Sequence, residues 1–300
     1  MTSNNLSYVL ITPARNEEAL IERTIISVIH QTVLPKRWII VNDGSTDRTG
    51  EIVLKYAKNF LWIELLQMPE HRDYNFSAKA RCFNTAFERL RHLDFDIIAN
   101  VDADISFDTD YFEFLLQQFV RFPDLGVAGT PRREENYDAV EEEGTVNEID
   151  VGGACQLFRR ACLEEIGGYT PIKGGGIDWV AVRSARMKGW RTRSFLERRF
   201  FHHRVMGATD CSVWRSFINY GRKDYCLGNH PLWELFRVVY QMTRKPLILR
   251  GSLLFAGYAW ALLMRMERPI SAELIRFHQH EQLQRLKSVL GKMLLLQGLK

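Results

Sequence analysis

Residues 38–47, WIIVNDGSTD, join a run of apolar residues to a cluster of turn-forming residues. The apolar run is typical of a buried strand, and the turn signal predicts that the strand ends there. A similar run, SYVLIT at residues 7–12, comes earlier and stops at Pro13. Between the two runs, residues 17–31 carry apolar side chains at helical spacing, which predicts a strand–helix–strand unit.

The same alternation continues beyond this unit. The pattern predicts a helix over 47–60, a strand over 61–68, a helix over 78–93 and a strand over 96–101. Alternation of this kind is typical of an α/β fold in which helices flank a mostly parallel sheet.

The elements after residue 110 are less regular. Strand-like runs occur within 126–131, 151–159 and 190–203, and a polar loop or short helix is expected over 132–143. Strand signals then fade, and helices are predicted over 214–220, 233–242, 247–264 and 273–296. We therefore predict an α/β domain over 1–210 and a helical C-terminal extension over 211–300.

The charges of the chain are unevenly distributed. Residues 1–179 contain 18 Lys/Arg and 29 Asp/Glu, whereas residues 180–300 contain 22 and 7, which together give the net charge of +4. A basic rear half favours an anionic partner, such as nucleic acid, a phosphate-bearing substrate or anionic lipid. The alternative is two solvated faces of opposite sign.

Cysteine usage and the apolar segments indicate the compartment. Five cysteines without CxxC spacing disfavour a disulfide framework and a zinc cluster, and they favour a reducing compartment. The N-terminus lacks the pattern of a signal peptide, and the longest apolar stretch, Gly251–Met264, is too short to cross a bilayer as a helix. We expect a cytoplasmic protein.

Oxygen-bearing side chains follow the strand predicted over 96–101. Asn100, Asp102 and Asp104 alternate along the chain, so they project to one side of an extended segment. Carboxylates at the carboxyl edge of a parallel sheet suit a hard divalent cation, Mn²⁺ or Mg²⁺, that bridges a diphosphate. The alternative is a solvated acidic turn.

Polar residues also follow the two earlier strands. Asp43 can accept hydrogen bonds from a base or ribose, although the turn around it is equally explained as an Asx turn with a helix cap. Arg15 can face phosphate or base, and Glu17 is placed to begin a helix.

Four motifs in a fixed order decide between these interpretations: VLITPARNEEALIERTIISVIHQ at 9–31, WIIVNDGSTDRT at 38–49, SAKARCFNTAF at 77–87 and NVDADIS at 100–106. Together they resemble the nucleotide-binding half of family 2 glycosyltransferases, which have the GT-A fold and a Rossmann-like nucleotide-binding half. The resemblance is close over residues 7–110 and looser to about 205. It implies nucleotide-sugar binding over 1–110 and the acceptor side over 111–210.

The resemblance implies a role for particular residues of the donor half. Donor contacts are implied for Pro13, Arg15, Glu17, Asp43, Arg81 and Asp102. Lys79 lies nearby in the sequence as a second cation for the donor, and a surface lysine is the alternative. The metal ion is implied at Asp104 together with Asp102. The family's acceptor-side strand is matched by VGGACQLFRR at 151–160, where small residues leave room for a sugar.

The general base of the reaction is implied at Asp178. In the family an acidic pair opens this helix, and here Ile177 replaces the first member, which puts the acceptor contacts in doubt more than the base. The alternative is a helix-capping aspartate. Either His202 or His203 is implied as a further metal ligand, and Arg204 as a contact of the diphosphate.

The resemblance therefore implies an inverting, metal-dependent transfer of a sugar from a nucleoside-diphosphate sugar, UDP being the commonest, to a hydroxyl of a glycan or lipid-linked acceptor. Cell-envelope polysaccharide synthesis is the implied setting. A sugar-phosphate nucleotidyltransferase is the nearest alternative, but ITPARNEE lacks that class's glycine-rich phosphate loop. A non-catalytic sugar- or nucleotide-binding protein is the other alternative, and the absence of a recognised motif argues against nucleic acid as a partner.

The extension interleaves aromatic and basic residues over 233–265. Such helices suit an anionic membrane interface, which would place the protein on the inner face of the cell membrane. A helical layer packed on the catalytic domain and a contact between two copies explain the pattern equally well, and the oligomeric state is left open.

Overall fold

The computed structural model describes residues 6–69, 76–135, 137–143, 148–204 and 213–297. The chain forms two compact units, residues 1–206 and residues 207–300.

The first unit contains eleven strands and seven helices among its described residues. The strands are β1 Tyr8–Ala14, β2 Arg37–Asn42, β3 Ile63–Gln67, β4 Ile97–Val101, β5 Ile105–Phe107, β6 Leu125–Gly129, β7 Arg132–Glu134, β8 Tyr137–Asp138, β9 Cys155–Arg159, β10 Arg191–Ser194 and β11 Phe200–His202. The helices are α1 Ile21–Ile29, α2 Thr49–Ala57, α3 Phe76–Leu90, α4 Tyr111–Arg121, α5 Ala139–Glu143, α6 Arg160–Ile166 and α7 Ile177–Met187.

Seven strands form the central sheet in the order β10-β6-β9-β4-β1-β2-β3. All neighbouring pairs are parallel except those of β9, which runs antiparallel to both β4 and β6. The central strands are buried on both faces: every residue of β4 and of β6 is buried, as is expected when helices cover a sheet on both sides. The predicted mostly parallel sheet flanked by helices is confirmed.

The strand order reverses direction beside β1. The chain moves from β1 to β2 and β3 on one side of the sheet, then crosses to place β4 on the other side of β1. Pairing of β1 with β4 ends at Ile11 and Asn100, whereas pairing with β2 continues to Ala14 and Asn42. A crevice at the carboxyl ends of β1 and β4 results, which is where open α/β sheets bind ligands.

A second sheet of four strands lies in the order β5-β11-β7-β8. It includes part of segment 132–143, which we expected to be a polar loop or short helix. The strands β7 and β8 form there because β11, distant in sequence, supplies the pairing partner of β7.

The second unit consists of helices in its described part: α8 Val213–Cys226, α9 Pro231–Met242, α10 Leu249–Leu263 and α11 Ala272–Gln297. Glycines bring α8 and α10 together backbone to backbone. A Cβ at Gly257 would lie 2.0 Å from the carbonyl oxygen of Ile218, and a Cβ at Gly221 would lie 2.0 Å from that of Leu254. Within the described residues, no helix combines the length and apolarity needed to cross a bilayer.

Polar side chains are buried where these helices meet. Arg237 pairs with Asp224 at 2.6 Å, and Asn229 donates to Glu234 at 3.0 Å. On the other side, His278 contacts the side-chain oxygen of Asn229 at 2.9 Å. Asn229, in the loop before α9, thereby joins α8, α9 and α11 through hydrogen bonds.

Candidate active site

The loops after β1 and β2 are held together by side chains of the predicted motifs. Asn16, at a φ of 55°, accepts a hydrogen bond from the amide of Thr46 at 2.9 Å, and its own amide donates to Ser45 at 3.0 Å. Asn42 accepts from the amide of Ser45 at 3.1 Å. The φ of Asn16 lies in the left-handed region, which asparagine tolerates better than most residues. Asn16, Asn42 and Ser45 therefore hold the two loops together.

Asp43 lies in the same turn, directly after β2. Its amide donates to the carbonyl of Ala14 at 2.9 Å, which fixes it beside the end of β1. Burial, followed by the Asp43 carboxylate, raises the pKa of the Cys82 thiol, while Arg81 and Arg15 oppose the shift. The structure thus gathers Asp43, Arg15 and Arg81 around one buried thiol, although they come from three separate motifs.

Pro13 lies at the open side of β1. It is in register with Val41 of β2, beyond the last residue of β1 that pairs with β4. A proline lacks the amide hydrogen of a strand ladder, so it is tolerated where one flank of the strand is unpaired. Its half-buried ring therefore lies at the edge of the crevice.

Lys79 of α3 lies among three carboxylates of the crevice. It forms an ion pair with Asp102. Burial lowers the pKa of Lys79, but Asp102, Asp178 and Asp104 outweigh that effect and raise it above its ordinary value. For Asp102, burial is the main cause of a raised pKa, which Lys79 opposes and Asp104 reinforces. The Lys79 ammonium group therefore lies within electrostatic reach of Asp102 and Asp104, after β4, and of Asp178 in α7.

Asp104 connects the crevice to β11 and to the segment that follows it. Its two carboxylate oxygens lie 3.7 Å from Nε2 of His202 and 3.5 Å from Nε of Arg204. Arg204 also pairs with Glu17 at 2.6 Å. Burial raises the pKa of Glu17 to about 7, against the opposing effect of Arg204. The ends of β1 and β4 are thus bridged through residues far apart in sequence.

The two histidines have different surroundings. His202 Nδ1 donates to the carbonyl oxygen of Arg204, and Nε2 on the other side of the ring faces Asp104. The ring nitrogens of His203 lie 3.3 Å from Arg23 and 2.9 Å from Ser106. His203 is the first residue after β11, and its ring contacts a different set of side chains from that of His202.

Asp178 lies in the first turn of α7 and packs against Gly153. A Cβ at Gly153 would come within 2.6 Å of an Asp178 carboxylate oxygen, whereas a Cβ at Gly152 would meet nothing within 4 Å. Helix α7 begins after Gly176, in the left-handed conformation, so Asp178 is not the N-cap residue. The Gly153 carbonyl accepts from Asn100 at 3.0 Å, which ties this segment to β4.

A buried pair behind Asp178 was not anticipated from the sequence. Gln156 of β9 donates to the carbonyl of Val151 at 2.9 Å and accepts from the hydroxyl of Tyr169. Asn84 of α3 in turn donates to the carbonyl of Tyr169 at 2.8 Å. The sequence offered one sign of this contact, Asn84 within the SAKARCFNTAF motif. Its partner Tyr169 lies 85 residues away, so no local pattern connects the two.

No group of three or more His, Cys, Asp or Glu side chains arranged to hold a metal ion occurs among the described residues. The donor set nevertheless fits a hard cation. Two ligands each about 2.1 Å from one ion are at most about 4.2 Å apart, and Asp104 and His202 are separated by 3.7 Å. Burial is the main cause of the raised pKa values of Asp102 and Glu17, the neighbouring Asp104 carboxylate adds to both, and a cation bound here would oppose these effects.

Part of the chain is similar to a known protein family. Residues 9–147 match the model of glycosyl transferase family 2. Over 172 residues, 51% of this chain, the sequence is 26% identical to the poly-β-1,6-N-acetyl-D-glucosamine synthase of Staphylococcus epidermidis. The aligned part is 39% of that relative, so the chain spans less than half of its length.

Two solved structures resemble the whole architecture. The mannosyltransferase PcManGT from Pyrobaculum calidifontis, in complex with GDP-Man and Mn²⁺, has a TM-score of 0.58 at 21% identity, covering 87% of this chain and 73% of that one. Residues 1–349 of TarS from S. aureus, in complex with UDP-GlcNAc, have a TM-score of 0.55 at 15% identity, covering 88% and 74%. Residues 9–147 therefore match glycosyl transferase family 2, and the chain has the GT-A fold.

Proposed function

We propose that this chain is an inverting, metal-dependent glycosyltransferase that moves a sugar from a UDP-sugar to a hydroxyl of a glycan or lipid-linked acceptor in cell-envelope polysaccharide synthesis. The observation that carries the proposal is the position of Lys79, which ion-pairs with Asp102 and lies close to both Asp104 and Asp178. A donor side and an acceptor side are thereby adjacent in one crevice.

The donor side divides into a base region and a diphosphate region. Asp43, Arg15 and Arg81 would contact the nucleoside, since they gather beside the end of β1. Lys79 and Arg204 would meet the diphosphate, because cations are the partners that phosphate oxygens require. We assign residues 1–110 to this side and residues 111–210 to the acceptor side.

Asp104 and His202 would hold the divalent cation, Mn²⁺ or Mg²⁺, with Asp102 beside it. Bound there, the ion would neutralise the charge that develops on the departing diphosphate. The proposal favours His202 over His203, because only the Nε2 of His202 is directed at Asp104.

Asp178 would act as general base. It would take the proton of the acceptor hydroxyl while the acceptor oxygen forms its bond to the anomeric carbon and the bond from that carbon to the diphosphate breaks. The exchange of partners on opposite sides of the carbon inverts its configuration. Gly153 leaves the space that the Asp178 carboxylate occupies.

UDP is proposed as the donor nucleotide, and UDP-N-acetylglucosamine is the first donor to assay. The TarS structure contains UDP-GlcNAc, and the staphylococcal relative is named for a polymer of N-acetylglucosamine. The PcManGT structure instead contains GDP-Man, so a guanine nucleotide must be included as a competitor.

The test is calorimetric titration of UDP, GDP and dTDP, each with and without Mn²⁺, into the wild type and Asp104→Ala. Metal-dependent binding of UDP that is lost in Asp104→Ala would support the proposal. His202→Ala should weaken that binding about 10–100-fold, and His203→Ala should change it much less. A folded protein that binds none of the three nucleotides would contradict the proposal and favour the non-catalytic alternative.

A further inference from the structure

Large apolar side chains are exposed along α9, α10 and the segment that joins them. Residues 243–249 are all exposed, and Leu247 and Ile248 at this hairpin tip are 63% and 65% exposed. The other exposed large apolar residues on these two helices and just beyond α10 are Leu232, Leu235, Val239, Tyr240, Leu249, Phe255, Trp260, Leu262, Leu263 and Met264.

Small residues make the closest contacts between the same helices, beside the buried side chains of Val238, Leu254 and Tyr258. A Cβ at Gly251 of α10 would lie 2.4 Å from the carbonyl oxygen of Val238 in α9, and Gly257 approaches α8 equally closely. Ala261 is also fully buried. Helices in water normally turn large apolar residues inward, whereas small residues inside and large ones outside are typical of helices that face lipid.

The exposed charged residues of the α9–α10 hairpin are basic, and the one carboxylate of these two helices, Glu234, is buried. Residues 235–266 contain five Lys/Arg and no Asp or Glu. Arg244 and Lys245 are exposed at the hairpin tip, directly before the apolar residues Leu247 and Ile248. Cations beside exposed apolar side chains complement an anionic lipid surface, where each contributes about 1 kcal/mol.

The length of α10 favours a helix that lies in the membrane interface. Its fifteen residues extend over about 22 Å at about 1.5 Å per residue, which is shorter than the roughly 30 Å of a bilayer core. The hairpin is therefore suited to a shallow position, with the tip in the headgroup region.

We propose that the α9–α10 hairpin, with residues 243–249 at its tip, docks on an anionic phospholipid surface. A second copy of the chain is the rival occupant, but two such surfaces would bring Arg244 and Lys245 against their own counterparts, and like charges oppose association. This inference goes beyond the proposed glycosyl transfer, and it does not depend on the donor or on Asp178.

The test is flotation of the full chain with vesicles at low salt. Vesicles of one part phosphatidylglycerol to three parts phosphatidylcholine should carry the protein upward. Vesicles of phosphatidylcholine alone should bind about tenfold less protein. Raising the salt concentration should weaken binding because it screens the cations. Equal binding to both vesicles, or to neither, would overturn the proposal.

Two matched pairs of variants locate the contact. Leu247→Asp combined with Ile248→Asp should weaken vesicle binding roughly a hundredfold. Leu61→Asp is its control, because Leu61 is 87% exposed in the first unit. Arg244→Glu combined with Lys245→Glu should weaken binding at least about thirtyfold, with Lys58→Glu and Lys188→Glu, exposed lysines of the first unit, as the control.

Light scattering of the same proteins without vesicles tests the rival occupant. A monomer at all concentrations, with far-ultraviolet circular dichroism unchanged in the tip variants, would support lipid as the partner. A dimer that Leu247→Asp combined with Ile248→Asp dissociates would overturn the proposal in favour of self-association.

Discussion

The two units of the chain differ in which charged and apolar side chains they bury and which they expose. The sheet unit buries most of its large apolar side chains and places a cluster of charged residues in a crevice at one edge of the sheet. The helical unit buries Glu234, with Asp224 and Arg237 half-buried beside it, and it exposes Leu247, Ile248 and many other large apolar side chains.

The difference teaches that burial serves different purposes in the two units. In the sheet unit, a well-packed core holds charged groups in place in the crevice, where the proposed ligand is itself charged. In the helical unit, buried hydrogen bonds and close glycine contacts join the helices together with a small apolar core around Tyr225 and Tyr258. Many other large apolar residues of this unit are exposed, and we propose that those of the α9–α10 hairpin face lipid. Each prediction below tests one side of this contrast.

The largest effect is expected from Asp178→Asn. The variant keeps the size of the side chain but cannot accept the acceptor's proton, so kcat should fall about a thousandfold. UDP binding, measured by calorimetry, should stay within about twofold because Asp178 is assigned to the acceptor side. Transfer activity within tenfold of the wild type would mean that another residue acts as the base.

Gly153→Ala should have the next largest effect, because its Cβ would lie 2.6 Å from an Asp178 carboxylate oxygen. A displacement of the base by a fraction of an ångström to an ångström is expected to lower kcat by about a hundredfold. Gly152→Ala is the matched control, since its Cβ would meet nothing within 4 Å. Equal kinetics in the two variants would show that Gly153 does not position Asp178.

In the helical unit, Gly257→Ala should lower the free energy of unfolding by about 2 kcal/mol. The added Cβ would meet the carbonyl oxygen of Ile218 at 2.0 Å, so the helix backbones must separate. Gly291→Ala, in α11 with nothing within 4 Å of its Cβ, should instead stabilise the protein by about 0.5–1 kcal/mol. Thermal melts followed by circular dichroism distinguish them, and an unchanged melt in Gly257→Ala would refute the close helix contact.

The smallest effect is expected from Glu234→Gln, and it depends on pH. Burial, reinforced by Asp224 and opposed by Arg237, raises the pKa of Glu234 from 4.5 to about 7 in the folded protein. The folded state therefore binds more protons, so its stability is greatest below about pH 4.5 and declines as the pH rises toward 7. Tyr258 of α10 also lies within electrostatic reach.

Glu234→Gln imitates the protonated carboxyl and should remove this decline, which makes the variant about 1 kcal/mol more stable than the wild type at pH 8. Urea denaturation at pH 5 and pH 8 measures the difference. Glu273→Gln, on an exposed position of α11, serves as the control and should keep the pH dependence of the wild type. A decline in Glu234→Gln as steep as in the wild type would contradict the assignment.

Much of the sheet unit could be predicted because its elements are signalled locally. The strand runs at 7–12, 38–41 and 96–101 all lie within observed strands or one residue from them, and the turn after residue 41 ends β2 as expected. Helix α4 was missed although Tyr111, Phe112, Leu115, Leu116 and Phe119 repeat at helical spacing. Helix α6 was missed as well, although Gly167 ends it in the left-handed conformation.

The remaining features depend on contacts between distant residues. The direction of β9 is set by pairing with β4 and β6, which no local pattern records. His202 and His203 are neighbours, so the sequence could say that their side chains diverge but not which one faces Asp104. The VGGAC motif predicted open space near the acceptor, but the structure shows that Gly153, unlike Gly152, adjoins Asp178.

The reversed direction of β9 has a consequence for how such a protein can diversify. The donor loops follow the carboxyl ends of β1, β2 and β4, whereas the segment beside Asp178 leads into the amino end of β9. For the proposed glycosyltransferase, the residues that select the donor and those that select the acceptor therefore lie in separate segments of the chain. Exchange of the stretch before β9 between relatives offers a route to enzymes that keep one sugar nucleotide and glycosylate a different product.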